Sequence, residues 1–343
     1  MAARRRFPRY PHPVIPHVAP PVWPAPIRQG RFASTIVPNS PELMEDAAAQ
    51  QQLKKCRVAM LGIPDDTGVE LNHGRVGAKG GPAAFRGALA KYGVASPADE
   101  RDDAAAYPRV FDAGDIVIGK DIHATHDRIT EATLAILEMG LFPIAIGGGH
   151  DCTFAFVRGV ARAFGGLDGV YFDAHLDVRP TVGSGMSFRA LIEGEFAGSL
   201  MCVGLNPLVN SREHAEYLTS HGGQIVKCGE PFSASDWRDA FGGHHASPDG
   251  AAFVSLDMDV FDASVAPGVS APNPSGLLPR GVEELVRQAG RTGVVRCFDI
   301  MELNPVFDVD GRTARLAAHM FLTFLRGFGE RGNARAAGDE DGE

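Results

Sequence analysis

Cysteine is scarce in this chain: five in 343 residues, an odd number, widely spaced and mostly set inside apolar runs. That pattern excludes a disulfide framework and a thiolate-rich structural zinc site, and it leaves reduced core thiols in an intracellular protein as the expectation. Long apolar runs are also missing. None approaches the roughly 20 residues needed to span a bilayer, so no membrane segment is expected. Basic residues are outnumbered, with a formal net charge of −9. This argues against nucleic acid or an anionic membrane as partner, while leaving room for a local basic pocket that takes a small acid. No internal repeat is evident.

Acidic residues, by contrast, are absent from the first 41 positions, which are rich in proline and arginine and lack apolar periodicity. Disorder, or an extended arm over the surface, is expected there. Prolines at 8, 11, 13, 16, 20, 21, 24 and 26 would break the amphipathic helix of an organelle transit peptide, so a cytoplasmic location is expected. The expected division is an arm over 1–50, one catalytic domain over 51–330, and a disordered acidic tail over 331–343. With 44% apolar residues the chain can bury one large core.

From residue 56 onward, short apolar runs alternate with longer helical patterns. Strands are expected over 57–62, 110–112, 142–146, 169–172, 199–203, 224–226, 252–256 and 294–298, with helices over 82–91, 126–139, 152–164, 212–220, 280–290 and 313–326. This is the α/β pattern of a mostly parallel, roughly eight-stranded sheet covered on both faces, a three-layer α/β/α arrangement. In such sheets ligands bind beyond the carboxyl ends of the strands.

The most informative stretch lies at one of those ends. Asp173-Ala174-His175-Leu176-Asp177 closes an apolar run with three acidic or imidazole groups at alternate positions, which an extended segment turns to one side. His150 and Asp151 follow another run and three glycines, and Asp257 and Asp259 close a third. Two like charges about 4 Å apart repel by roughly 4 kcal/mol at an effective dielectric near 20, so four grouped aspartates need cations among them. Carboxylate and imidazole without thiolate suit Mn²⁺ or a similarly hard first-row ion. Two Mn²⁺ and a hydrolytic reaction are the expectation, with His150, Asp173, His175, Asp177, Asp257 and Asp259 as ligands.

Three ordered segments, Gly147-Gly148-Gly149-His150, Asp173 to Asp177, and Ser255-Leu256-Asp257-Met258-Asp259-Val260-Phe261-Asp262, resemble the metal-binding motifs of the ureohydrolase family, which includes arginase and agmatinase. The resemblance covers roughly 56–328 and implies an arginase-like fold. Arg179-Pro180, Ser184-Gly185-Met186-Ser187-Phe188-Arg189 and Ala266-Pro267-Gly268-Val269-Ser270-Ala271-Pro272 narrow it to the formimidoylglutamase branch. That branch hydrolyses N-formimidoyl-L-glutamate to L-glutamate and formamide in histidine degradation. Carried over, the resemblance implies one ion on His150, Asp173, Asp177 and Asp257 and a second on Asp173, His175, Asp257 and Asp259. Asp173 and Asp257 would then be bridges and a hydroxide between the ions the nucleophile. Asp177 would pass a proton to the departing nitrogen, and Glu302 would pair with the cationic amidine.

Arginase-like members carry a shuttling histidine where Phe188 stands. Arg179 and Arg189, with Asn206 and Asn210 behind them, suit a small amidine substrate bearing carboxylates. The alternatives are a guanidino substrate such as agmatine, guanidinobutyrate or arginine, or a non-catalytic ligand-binding relative. By resemblance a homo-oligomer is expected. Arg75 also matches a family feature without a role to assign. Lone strand-end acids such as Asp262, Asp299 and Asp308 are read as turns or helix caps, Asp151 as a helix cap, and His73, His244 and His245 as solvated loop side chains.

Overall fold

The computed structural model describes residues 15–94, 107–232, 236 and 250–332. The expectations for 1–14, for most of the acidic tail and for His244 and His245 lie outside the described residues.

All eight expected strands are present, in one sheet of ten. Two short strands, β1 (Val18–Ala19) and β2 (Val37–Pro38), precede β3 (Val58–Ile63), β4 (Val110–Ile116), β5 (Phe142–Gly147), β6 (Leu167–Phe172), β7 (Ala197–Leu205), β8 (Gln224–Lys227), β9 (Ala252–Asp257) and β10 (Val295–Met301). Their order is β1-β4-β3-β5-β10-β9-β6-β7-β8, with β2 also on β4, and every pairing is parallel except β1 with β4. Continuous apolar runs such as Val-Ala-Met-Leu-Gly-Ile in β3 are buried throughout, as a sheet covered on both faces demands.

The helices are α1 (Ala47–Leu53), α2 (Thr67–Leu71), α3 (Gly81–Leu89), α4 (Ile122–Glu138), α5 (Asp151–Phe164), α6 (Ser187–Glu193), α7 (Arg212–Ser220), α8 (Pro279–Arg291) and α9 (Arg312–Gly329). They generate two cores, one per face. Phe85, Val286, Phe321 and Phe324 close over Val254 and Phe298 on one side, while Ile129, Ile136, Phe156 and Val160 close over Phe253 and Cys297 on the other. Neighbouring strand residues thus alternate between cores, as the pleat requires. α1, α2 and α6 were not legible in advance; at five to seven residues they are too short to show a periodic stripe.

Of the two forms expected for the arm, disordered or extended over the surface, the described part takes the second. From Ile15 onward it lies on the sheet edge, burying Ile15, Phe32, Ala33, Ile36, Val37 and Leu43. Trp23 Nε1 donates to Asp112 Oδ2 at 2.9 Å and Asn39 Nδ2 to the Ala113 carbonyl at 3.0 Å. The physical reason is that β4 would otherwise present unpaired backbone groups at the edge, and β1 and β2 cover them. Beneath this edge Arg86, fully buried, grips Asp112 with two hydrogen bonds of 2.8 and 2.9 Å and Asp115 with one of 2.7 Å.

Candidate metal centre

Four strands that are neighbours at the middle of the sheet, β5, β10, β9 and β6, end at the same edge, and each delivers a polar side chain there. Adjacent strands lie about 4.8 Å apart, so side chains just past their ends are brought within reach of one point. β5 runs into Gly148 and Gly149 before His150. A Cβ on Gly148 would collide with the Asp65 backbone, so glycine lets the turn close tightly beside that carbonyl. β6 leads to Asp173, β9 ends on Asp257 with Asp259 in the following turn, and β10 leads to Glu302.

His150, Asp173, Asp177 and Asp257 offer ligand atoms that all lie within 4.8 Å of one another, and so do Asp173, His175 and Asp259. His150 Nδ1 is 3.1 Å from Asp173 Oδ2, 3.0 Å from Asp177 Oδ2 and 3.0 Å from Asp257 Oδ2. His175 Nδ1 is 3.4 Å from Asp173 Oδ1 and 3.2 Å from Asp259 Oδ2. Asp173 therefore presents one oxygen to each group. Asp257 Oδ2 faces His150 in the first group, and its Oδ1 accepts the Asp259 N–H at 2.7 Å.

The donor set fits a pair of divalent cations by a test internal to the structure. His150 Nδ1, Asp173 Oδ2, Asp259 Oδ1 and Glu302 Oε2 are all buried without a hydrogen-bond partner, a costly state that cations would relieve. Protonation behaviour agrees. Burial pushes Asp173 up to about 6, with Asp177 and Asp259 adding repulsion, and burial with Asp259 and Asp173 beside it lifts Asp257 well above the carboxylate range. Burial would depress His150 and His175, but the carboxylates around them, Asp257 and Asp259 foremost, hold both well above the ordinary imidazole value.

Behind His150 lies a relay that sequence reading missed. Ser255 Oγ donates to Asp299 Oδ1 at 2.6 Å and lies 3.0 Å from His150 Nε2. Since the hydroxyl hydrogen goes to Asp299, the serine oxygen accepts from Nε2–H, which turns Nδ1 toward the carboxylates. Asp299 is not the turn or cap expected of it; it is fully buried inside β10, and burial pushes it up to about 6. A lone acid inside an apolar run was the available signal, because a buried strand tolerates one only with a partner. Asp151, expected as a cap, instead meets His126 Nε2 at 2.8 Å. Asp262 and Asp308 do accept backbone N–H groups in turns and at the start of α9, as read.

The centre opens into a cleft of about 440 Å³ whose lining includes His175, Asp177, Asp257, Asp259 and Glu302 together with Asn72, Arg75, Arg179 and Asn210. Glu302 Oε1 accepts the His150 N–H at 2.7 Å, and burial pushes this carboxyl up to about 8, against the pull of the neighbouring Ser270 hydroxyl. Asp177 and Glu302 both hold left-handed backbone conformations, φ 45° and 64°, a strain that surrounding structure must enforce.

The expected substrate contacts divide. Arg179 lines the cleft, with Nη1 donating to Asn72 Oδ1 at 2.7 Å. Arg189 does not line it. Its Nε is bound to Glu193 at 2.8 Å and its guanidinium stacks over Tyr217 at 4.0 Å, because α6 turns the 189 and 193 side chains onto one outer face. Asn210 lines the cleft but has no donor to offer, since Nδ2 gives its two hydrogens to Ala174 and Asn206 carbonyls, each at 2.8 Å. Asn206 is buried outside the cleft lining and bonded to Asn273 at 3.0 Å. Both asparagines brace the 174–176 segment, as Asn210 Oδ1 also accepts the Leu176 N–H. Phe188 is fully buried, stacked on Tyr171 and edge-on to His150 at 5.3 Å.

The Arginase family model matches residues 56–326. A formimidoylglutamase from Rhodococcus jostii (strain RHA1) is 33% identical over 76% of this chain and 82% of its own length. The crystal structure of Trypanosoma cruzi formiminoglutamase with two Mn²⁺ superposes with a TM-score of 0.73 at 33% identity, covering 80% of this chain and 94% of that one. Formimidoylglutamase from Bacillus subtilis gives 0.72 at 28% identity, covering 80% and 87%.

Proposed function

Because the chain belongs to the arginase family, we propose that it hydrolyses N-formimidoyl-L-glutamate to L-glutamate and formamide with two Mn²⁺ bound. The observation that carries this reading is the convergence of His150, Asp173, His175, Asp177, Asp257 and Asp259 into two groups sharing Asp173, beneath a cleft that also holds Glu302 and Arg179. When bound, the two ions supply neutralisation of the carboxylates and a water acidic enough to attack at neutral pH.

The chain's own groups do the rest. Glu302 is fixed through Oε1 by the His150 N–H, which leaves Oε2, otherwise unpaired, to accept from the amidinium and present its carbon to attack. Asp177, at 12% side-chain exposure the most open of Asp173, Asp177, Asp257 and Asp259, takes up a proton and returns it to the glutamate nitrogen as the C–N bond breaks. Arg179 at the rim receives a substrate carboxylate. The Ser255–Asp299 relay keeps His150 in the tautomer that presents Nδ1.

The turn of Arg189 away from the cleft favours, on its own, the guanidino alternative, in which fewer carboxylates need be met. One product assay separates the two. Mn²⁺-loaded protein is offered formimidoylglutamate, agmatine, arginine and guanidinobutyrate; glutamate and formamide from the first are expected, whereas urea release without glutamate would overturn the assignment. On the same family footing the protein is read as a cytoplasmic homo-oligomer, which light scattering on the purified chain and fractionation of its source cells test. No helix among the described residues is long and apolar enough to cross a membrane.

A further inference from the structure

We propose that Arg75 is a specificity-determining residue of this cleft, binding one substrate carboxylate while Arg179 meets the other; the assignment rests on the dicarboxylate reading of the preceding subsection. Arg75 is held from two sides. Its Nη2 donates to the Pro267 carbonyl at 3.1 Å and to the Val269 carbonyl, and its guanidinium lies over the Phe307 ring at 4.2 Å. Such a clamp fixes the plane of the fork before any ligand arrives, so little side-chain freedom is lost on binding.

What the clamp leaves open points to an anion. Arg75 lines the cleft, and its Nε is buried without a hydrogen-bond partner. Among the described residues it has no carboxylate within 4.0 Å, in contrast to Arg86, Arg158, Arg189 and Arg287, each of which pairs with one. Backbone carbonyls supply partial charge but no neutralisation. A carboxylate entering the cleft would satisfy the orphaned Nε–H and the charge together.

The loop geometry ties this cation to the rest of the site. The Arg75 N–H donates to the Ser270 carbonyl, and the Ser270 side chain neighbours Glu302. Three residues earlier, Asn72 holds the Arg179 guanidinium. One loop therefore carries one cation and steadies the other at a cleft whose floor is acidic. A substrate with a cationic amidine and two carboxylates is complementary to that distribution: amidinium toward Glu302, carboxylates toward the two guanidiniums. Agmatine, with no carboxylate, would leave both cations unmet. Arg75 so fills the place that Arg189 vacates.

The test compares Mn²⁺-loaded wild type, Arg75→Met and Arg179→Met. Methionine keeps length and packing over Phe307 while removing every donor. For each protein, kcat/KM is measured on formimidoylglutamate and on N-butylformamidine, which lacks carboxylates, and L-glutamate binding is measured by calorimetry. The expected result is a fall of about tenfold or more in the selectivity ratio and a matching loss of L-glutamate affinity in Arg75→Met. An equal loss on both substrates, the mark of a merely structural clamp, or wild-type glutamate binding would overturn the assignment. Should Arg75→Met fail to fold, Arg75→Lys takes its place; it keeps charge and loses the fork, so a lowered ratio supports the role and an unaltered one refutes it. A wild type that hydrolyses formimidoylglutamate with selectivity indifferent to Arg75 defeats this assignment alone, while a wild type inert toward formimidoylglutamate defeats the functional reading beneath it.

Discussion

Glu302 shows how much a single side chain is asked to do in this site. Its backbone is left-handed, one oxygen is committed to the His150 N–H, and the other is buried and unpaired. Replacing it by glutamine keeps the shape and one acceptor but removes the charge that faces the amidinium. A charge-assisted hydrogen bond is worth about 1.5–3 kcal/mol, so Glu302→Gln is expected to lower kcat/KM by roughly tenfold to a hundredfold with manganese content unaltered; steady-state kinetics beside metal analysis checks this. Arg189 gives the opposite expectation. Held by Glu193 and Tyr217 on the outer face of α6, it should be dispensable: Arg189→Ala is expected to leave kcat/KM within about twofold and to cost at most about 1 kcal/mol of stability, measured by urea denaturation. A large kinetic defect would return Arg189 to the site.

At the scale of the element, the site depends on register between strands. Ser255 of β9 and Asp299 of β10 are direct partners in the parallel ladder, and that pairing puts the hydroxyl between Asp299 and His150. Partners that orient a metal ligand typically affect affinity by about 10–100-fold, so Ser255→Ala is expected to weaken Mn²⁺ binding by that order in a competitive chelator titration. An unaltered affinity would reduce the relay to packing. The same scale explains what the sequence could and could not disclose. Asp173, His175, Asp177, Asp257 and Asp259 were legible because alternate spacing after an apolar run has a direct geometric meaning. Arg189 and Glu193 stand at i and i+4, but the seven-residue helix that makes this spacing a contact is too short to show a periodic stripe in the sequence. Asn206 and Asn210 could not be separated in advance from ligand contacts, since only coordinates show where an amide spends its hydrogens. Arm residues such as Phe32 and Ile36 gave no periodic signal because they add to an existing edge rather than form an amphipathic element of their own.

Over the whole molecule, the clustered acids link folding to both protons and metal. Asp173 and Asp299 are raised to about 6 and Glu302 to about 8, all chiefly by burial. In an unfolded chain such groups titrate near 4. The folded state therefore binds their protons more tightly than the unfolded one, so the stability they contribute is fully present below about pH 4 and is lost as pH rises through about 6 and then about 8. His150 and His175, also raised, act in the same direction. Chelated protein is expected to melt at a lower temperature at pH 8 than at pH 5.5, and added Mn²⁺ to raise the melting temperature more at pH 8, where its ligands are deprotonated. Scanning calorimetry with and without chelator tests both halves; a chelated protein whose melting temperature rises over this interval would contradict the linkage.

Six side chains from three distant stretches are placed to hold two cations that share Asp173. Manganese analysis joined to electron paramagnetic resonance on the same dialysed sample tests it most directly. Two Mn²⁺ per chain with the spectrum of an exchange-coupled pair are expected, reduced to one ion or none in Asp173→Asn. A wild-type chain that retains a single ion, or two that give only isolated six-line signals, would contradict it.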